Sequence, residues 1–223
     1  MELKLDYYFN NYEDNEVFKK LTQGITNIWE MHDTGKKFLD TEVVAKDKKE
    51  NNGTCIDENK VTFIGNYAIG EGTVIYPGAV IEGPVYIGKN VKIMPGAYVR
   101  PGTIVGDKCV IGFNSEVKNS IIQNGAKIAS LAFVGDSILG KSARIGSGVI
   151  TANRRFDQQN IKLKQENGEK LDAGVDFFGC ILGDYSRIGA SSVTSPRNIH
   201  WTIYMDLPSG INSWLYSSTK KGV

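Results

Sequence analysis

Long apolar runs are missing from this sequence. None approaches the roughly 20 residues that a bilayer-spanning helix needs, so no membrane role is expected. An excess of one charge is missing too, with 26 Lys+Arg against 25 Asp+Glu. That balance argues against nucleic acid or an anionic membrane as the main partner. Cysteine and histidine are scarce, at 3 and 2 residues. Cys55, Cys109 and Cys180 show no CxxC or CxxH spacing and read as free thiols in a reducing compartment, not as disulfides or a zinc site. The opening residues, MELKLDYYFN, lack the apolar core of a secretion signal, which predicts a cytoplasmic protein. Proline is ordinary at 6 residues, whereas glycine, at 25, is in excess and asks for a reason.

An internal repeat supplies it. From Ile69 an aliphatic residue recurs every six positions, at Ile75, Ile81, Ile87, Ile93, Val99, Val105, Ile111 and Val117. Two residues earlier stands a small or β-branched residue, as at Thr73, Ala79, Ala97, Thr103, Cys109 and Ser115. Neither the helical period of 3.6 nor strand alternation produces that beat. A hexapeptide β-helix does, with three hexads per triangular coil and the aliphatic side chains stacked inward. The fold class is therefore mainly β, a parallel β-helix. Gly70, Gly88, Gly106 and Gly112 directly follow the inward residue, where turns of positive φ are expected. Cys109 falls on an inward small position and reads as packing.

The beat then slips. Intervals of five separate Val117 from Ile122 and Val134 from Leu139. A charged stretch without the repeat follows, an inserted loop at about 154–178, and the pattern resumes at Leu182 and Ile188. Insertions and slips in one third of a solenoid mark that third as the place for ligands. Residues 60–223 are read as the β-helix. Residues 1–59 are read as a helical segment and polar linker, with Val17, Leu21, Ile25, Ile28 and Trp29 on one helical face and Gly35 as its stop. Such a segment could cap an open end of the coil.

The phrases RPG, NSEVKNSII, VGDSILG and ANRRFD, spread over residues 98–157, carry a resemblance. They resemble the acetyltransferase domain of the bifunctional glucosamine-1-phosphate acetyltransferase/N-acetylglucosamine-1-phosphate uridyltransferases. They are similar as well to the archaeal and bacterial sugar-1-phosphate nucleotidylyltransferase/acetyltransferases, without a counterpart of the nucleotidyltransferase domain. The resemblance implies a left-handed coil, a homotrimer with sites between neighbouring coils, and acetyl-CoA as co-substrate, with no metal needed for acyl transfer. It places Arg100 and Lys118 as ligands of a sugar phosphate and Asn153 near the acetyl group and the amine. Arg suits phosphate by its planar fork and Lys as a point charge.

Three positions depart from the family's pattern. Ser130 stands where relatives carry the general-base His, Phe133 replaces their Tyr, and Arg144 replaces an Asn. A positioned base contributes about 10²- to 10⁴-fold to such a reaction, and serine has no pKa near neutrality. The two histidines, His32 and His200, lie outside the motif, and Asp136 in VGD reads as a corner residue that bonds backbone N–H groups. Two functions stay open at this point. One is an acyltransferase acting on a sugar 1-phosphate or sugar nucleotide. The other is a non-catalytic trimeric homologue that binds a sugar phosphate or a partner protein.

Overall fold

The computed structural model describes residues 5–9, 15–164, 170–196, 198–200 and 205–206. Three parallel sheets wind around one axis to form a β-helix. The first runs from Lys49–Asn51 through Tyr67–Ile69, Val85–Ile87, Thr103–Val105, Ile121–Ile122, Ile138–Leu139 and Cys180–Leu182 to Asn198–His200. The second begins at Thr54–Cys55 and includes Lys127–Ile128, Arg144–Ile145 and Arg187–Ile188. The third begins at Thr62–Ile64 and includes Tyr98–Val99, Glu116–Lys118, Phe133–Gly135, Ile150–Thr151 and Val193–Thr194. Lys49–Asn51 and Thr54–Cys55, inside the segment read as linker, thus already pair into the coil.

Register explains the repeat. Ile69 stands opposite Ile87, Ile87 opposite Val105, Val105 opposite Ile122, and Leu139 opposite Leu182. Each aliphatic side chain therefore stacks on its counterpart one turn away, and the stack is fully buried from Ile75 to Leu182. The small residues between stacks use buried hydroxyls to satisfy the backbone: Thr73 Oγ1 donates to Gly88 O at 2.8 Å and Ser115 Oγ to Ala129 O at 2.6 Å.

The glycine expectation needs correction. Gly70, Gly88, Gly106 and Gly112 are not left-handed; the left-handed residues sit two positions later, at Gly72, Asn90, Lys108 and Asn114. Gly70 and Gly112 are required by close approach instead. A Cβ there would lie 2.7 Å from Gly88 C and 2.4 Å from Ala129 C in the next turn.

The N-terminal segment also differs from its reading as one helix. It is split into α1 (Leu5–Tyr8), α2 (Glu16–Thr22) and α3 (Met31–Leu39). The left-handed Gly24 follows α2, and a 3₁₀ turn, Ile28–Glu30, leads into α3. Asn15 caps α2, its Oδ1 accepting from the N–H of Val17 at 2.9 Å and Phe18 at 3.3 Å. Gly35 is no stop but lies inside α3, where a Cβ would stand 3.3 Å from both Ile104 Cδ1 and Ile121 Cδ1. Nor does the segment cap an open end. Leu21, Ile28, Met31, Phe38 and Leu39 bury the outer face of the first sheet through Ile104, Ile121, Ile138 and Ile181. Short helices are marginal alone; this flank is what stabilises them. Among the described residues, no helix is long and apolar enough to cross a membrane.

Candidate functional site

The corner where the third sheet passes into the first gathers the polar side chains. Its hub is Asp136, left-handed at φ 49° and 3 % exposed. Asn and Asp tolerate this conformation better than other non-glycine residues, and the interval of five at Val134–Leu139 demands so tight a turn. Asp136 Oδ1 accepts from Asn119 Nδ2 at 2.7 Å, and Oδ2 from Asn153 Nδ2 at 2.5 Å. Lys118 Nζ lies 3.5 Å from Oδ2. The backbone joins in: Asp136 N–H donates to Lys118 O at 2.9 Å, and Gly179 N–H donates to Asp136 O at 2.8 Å. The carboxylate therefore binds side chains, in place of the backbone N–H groups expected of a corner residue.

The insertion returns directly over this hub. A Cβ on Gly179 would lie 2.2 Å from Gly135 O, so only glycine fits the crossing. Just ahead, Phe177 bridges to Arg154 and presents its ring to two cations, Lys118 Nζ at 4.9 Å and Arg154 Cζ at 5.0 Å from the centroid. Phe178 is buried and meets His32 of α3 edge-on, with centroids 5.6 Å apart. His32 Nε2 is shielded from solvent without a hydrogen-bond partner. Burial pushes its pKa down, while the charges of Asp136 and Asp33 pull it up.

Four residues proposed from the sequence converge here or close by. Lys118 and Asn153 share Asp136. Phe133 joins them: a Cβ on Gly135 would touch both Phe133 Cζ at 2.7 Å and Asn153 Nδ2 at 2.8 Å. Arg100 lies one turn away on the same face, paired with Glu116 at 2.6 Å and 5.6 Å above the Tyr98 ring. Glu116 raises its pKa further. Both expected phosphate ligands thus already hold a carboxylate of their own chain.

Ser130 and Arg144 stand apart. Ser130 occupies the opposite corner, between the second and third sheets, half-buried, its carbonyl accepting from Gly148 N–H at 2.9 Å. The strand Phe133–Gly135 lies between it and Asp136. Arg144 projects from the second sheet, exposed and in register between Lys127 and Arg187. The His200 side chain lies outside the described residues. Cys109 is buried, its Sγ donating to Gln123 O at 3.1 Å and its pKa pushed up to about 12 by burial, as packing requires. No cluster able to hold a metal occurs among the described residues.

Sequence reasoning missed Asn119, Glu116, Phe177, Arg154 and the reach of His32. The interval of five before Asp136 was the available signal for the hub. Phe177 had none, because it ends a segment without a repeat.

Comparison with known proteins adds the following. The family model described as GMPPB C-terminal domain matches residues 81–197. An uncharacterized acetyltransferase, YaiX, of Escherichia coli O6:K15:H31 is 36 % identical over 164 residues, covering 74 % of this chain and 69 % of its own. A bifunctional sugar-1-phosphate nucleotidylyltransferase/acetyltransferase of Sulfurisphaera tokodaii is 37 % identical over 168 residues, 75 % of this chain but 40 % of that protein. The bifunctional protein GlmU of Methanococcus vannielii is 42 % identical over 132 residues, 59 % of this chain and 31 % of its own. This chain spans well under half of both bifunctional proteins.

Proposed function

The chain belongs to the hexapeptide-repeat acetyltransferase family, and on that premise we propose that it transfers an acetyl group from acetyl-CoA to an amino sugar bearing a phosphate. The convergence of Lys118, Phe133 and Asn153 around Asp136 carries this reading. Asp136 fixes the Asn153 amide and leaves its carbonyl oxygen to face an incoming amine, while Lys118 offers a cation beside it. The acyl donor supplies a thioester; C–N bond formation breaks its C–S bond, and one amine proton must leave. Ser130 cannot accept that proton at neutral pH, so transfer to glucosamine 1-phosphate should be slow.

We infer a homotrimer for the same protein. Helices cover the first sheet, leaving the second and third for neighbours. Arg144, around the corner from Lys118 in its own chain, would meet such a cluster only across a subunit boundary. Lys127, Arg144 and Arg187 stack as like charges in successive turns with no ion pair among the described residues. Like charges placed opposite one another are unfavourable, and an acidic partner surface would relieve them. Light scattering should return three times the chain mass; a monomer would remove the shared site.

The lack of a described imidazole at Ser130's corner favours the second reading, a ligand-binding homologue without turnover. CoA release with acetyl-CoA and glucosamine 1-phosphate separates the two. Ser130→His with Phe133→Tyr should raise release at least tenfold over the unmodified protein, toward the contribution of a positioned base. Fast release by the unmodified chain would mean that another group is the base. No gain in the double variant, with both ligands bound, would support the non-catalytic reading.

A further inference from the structure

Beside the hub, at the root of the insertion, lies a recess of about 420 Å³. One wall comes from the chain leaving the strand Ile150–Thr151 and carries Arg154, Arg155, Phe156 and Asp157; the other comes from the chain leaving Val193–Thr194 and carries Ser195 and Pro196. Its volume falls in the range of small-molecule sites, about 300–1,000 Å³.

Its chemistry is uneven in an informative way. The Phe156 ring is fully exposed, a large apolar surface held in water at the rim. Arg155 is fixed by Asp157, its Nε donating to Oδ1 at 2.7 Å and its Nη2 to Oδ2. That pairing holds the Asp157 carboxyl down at about 2 and cancels the charge of Arg155. Arg154 is different: it contacts the face of Phe177 and, among the described residues, pairs with no carboxylate. Arg100 and Lys118, by contrast, are each matched by an acid. The uncompensated cation beside the hub is therefore at the recess and not at the expected phosphate ligands.

We propose that this recess binds a nucleoside diphosphate group, the base stacked on Phe156 and the phosphates on Arg154. A planar heterocycle covers an exposed aromatic ring, and a guanidinium suits phosphate oxygens. A bare sugar phosphate would use the cation and leave the ring in water. The inference rests on the acyl-transfer reading only for its consequence. Two reactants could carry such a group: coenzyme A, or a nucleotide-linked sugar as acceptor. Arg154 directly follows Asn153, so a ligand seated here has its phosphates next to the hub.

Calorimetric titration of the full chain with CoA, UDP, GDP and inorganic phosphate tests this without requiring turnover. CoA or one of the diphosphates should bind, and inorganic phosphate should bind far more weakly. Phe156→Ala should weaken that ligand about tenfold, the value of one stacked base, and Arg154→Ala at least as much. Both side chains are exposed, so melting temperatures should match the parent. Loss confined to CoA assigns the recess to the acyl donor; loss confined to UDP or GDP assigns it to the acceptor and makes that acceptor a nucleotide sugar. Unchanged affinities in both variants, or binding of phosphate alone, would overturn the proposal. Nucleotide binding that depends on Phe156 and Arg154, together with no CoA release for any amine, would leave the site standing and remove the acyl-transfer reading.

Discussion

Followed turn by turn, one corner of the coil changes its chemistry. Between the third and first sheets the early turns pass through Gly65, Gly83–Pro84 and Gly102, and the later ones through Asn119, Asp136 and Asn153. The corners at Gly65 and Gly83–Pro84 solve a backbone problem, and at the third early corner Arg100, ahead of Gly102, is held by Glu116. The corners at Asn119 and Asp136 are one residue shorter, with eighteen positions from Ile87 to Val105 but seventeen from Val105 to Ile122 and from Ile122 to Leu139, and the corner at Asn153 opens into the insertion. Side chains there take over part of the turn's bonding. Strict repetition builds a rod, and departure from it builds a place where polar groups meet. The hub sits beneath the insertion and beside the helices, so three elements depend on one corner.

The largest break in that comparison comes from removing the helices. Deleting residues 1–45 uncovers Ile104, Ile121, Ile138 and Ile181, each 0–1 % exposed in the intact chain. Each buried side chain is worth about 1.5–3 kcal/mol, and about 1 kcal/mol moves Tm by 2–4 °C in a chain of this size. A fall of more than about 10 °C, or aggregation, is expected by calorimetry. An unchanged melting temperature with a monodisperse product would mean that the coil does not need this cover.

Next come paired substitutions at the two kinds of corner. Asp136→Ala leaves the amides of Asn119 and Asn153 without their acceptor and Lys118 without its counter-charge; a buried donor left unpaired costs about 1–3 kcal/mol. Tm should fall by roughly 5–15 °C, and binding of glucosamine 1-phosphate should be lost. Gly65→Ala strains a left-handed glycine, φ 72°, at about 1–2 kcal/mol, its Cβ meeting only Gly83 at 3.4 Å or more, and should lower Tm while leaving the ligand bound. Equal loss of ligand in both variants would erase the distinction between structural and polar corners.

The repeat was legible because it has one physical source: stacked strands put Ile87 between Ile69 and Val105. The corners were less so. A slip of one residue shows that a turn is tighter, not that the aspartate inside it will gather Lys118 and Asn119 from the turn before and Asn153 from the turn after. Phe177 and Arg154 could not be paired from sequence, since twenty-two residues without a period lie between them. The helices were read from their apolar spacing, but Gly35 was misjudged. A glycine can break a helix or let one approach a sheet, and only the packing against Ile104 and Ile121 decides which. Among the site residues, the resemblance named Lys118, Phe133 and Asn153; the carboxylate that joins two of them stands inside the phrase VGDSILG but was read there as a corner that bonds backbone N–H groups.

The smallest expected effect concerns His32, which links the helices to the polar corner. Its imidazole lies against Phe178, and burial lowers its pKa from the ordinary value of about 6.5, against the opposing pull of Asp136 and Asp33. The folded chain then binds fewer protons at this residue than the unfolded chain between its depressed pKa and about 6.5. Stability contributed here is present above about pH 6.5 and is lost as the pH falls through that value. Tm should drop by a few degrees more between pH 7 and pH 5 in the parent than in His32→Phe, which keeps the edge-on ring contact and cannot titrate. Parallel pH profiles for the two proteins would show that His32 is protonated equally in both states, and would uncouple the helices from the corner they cover.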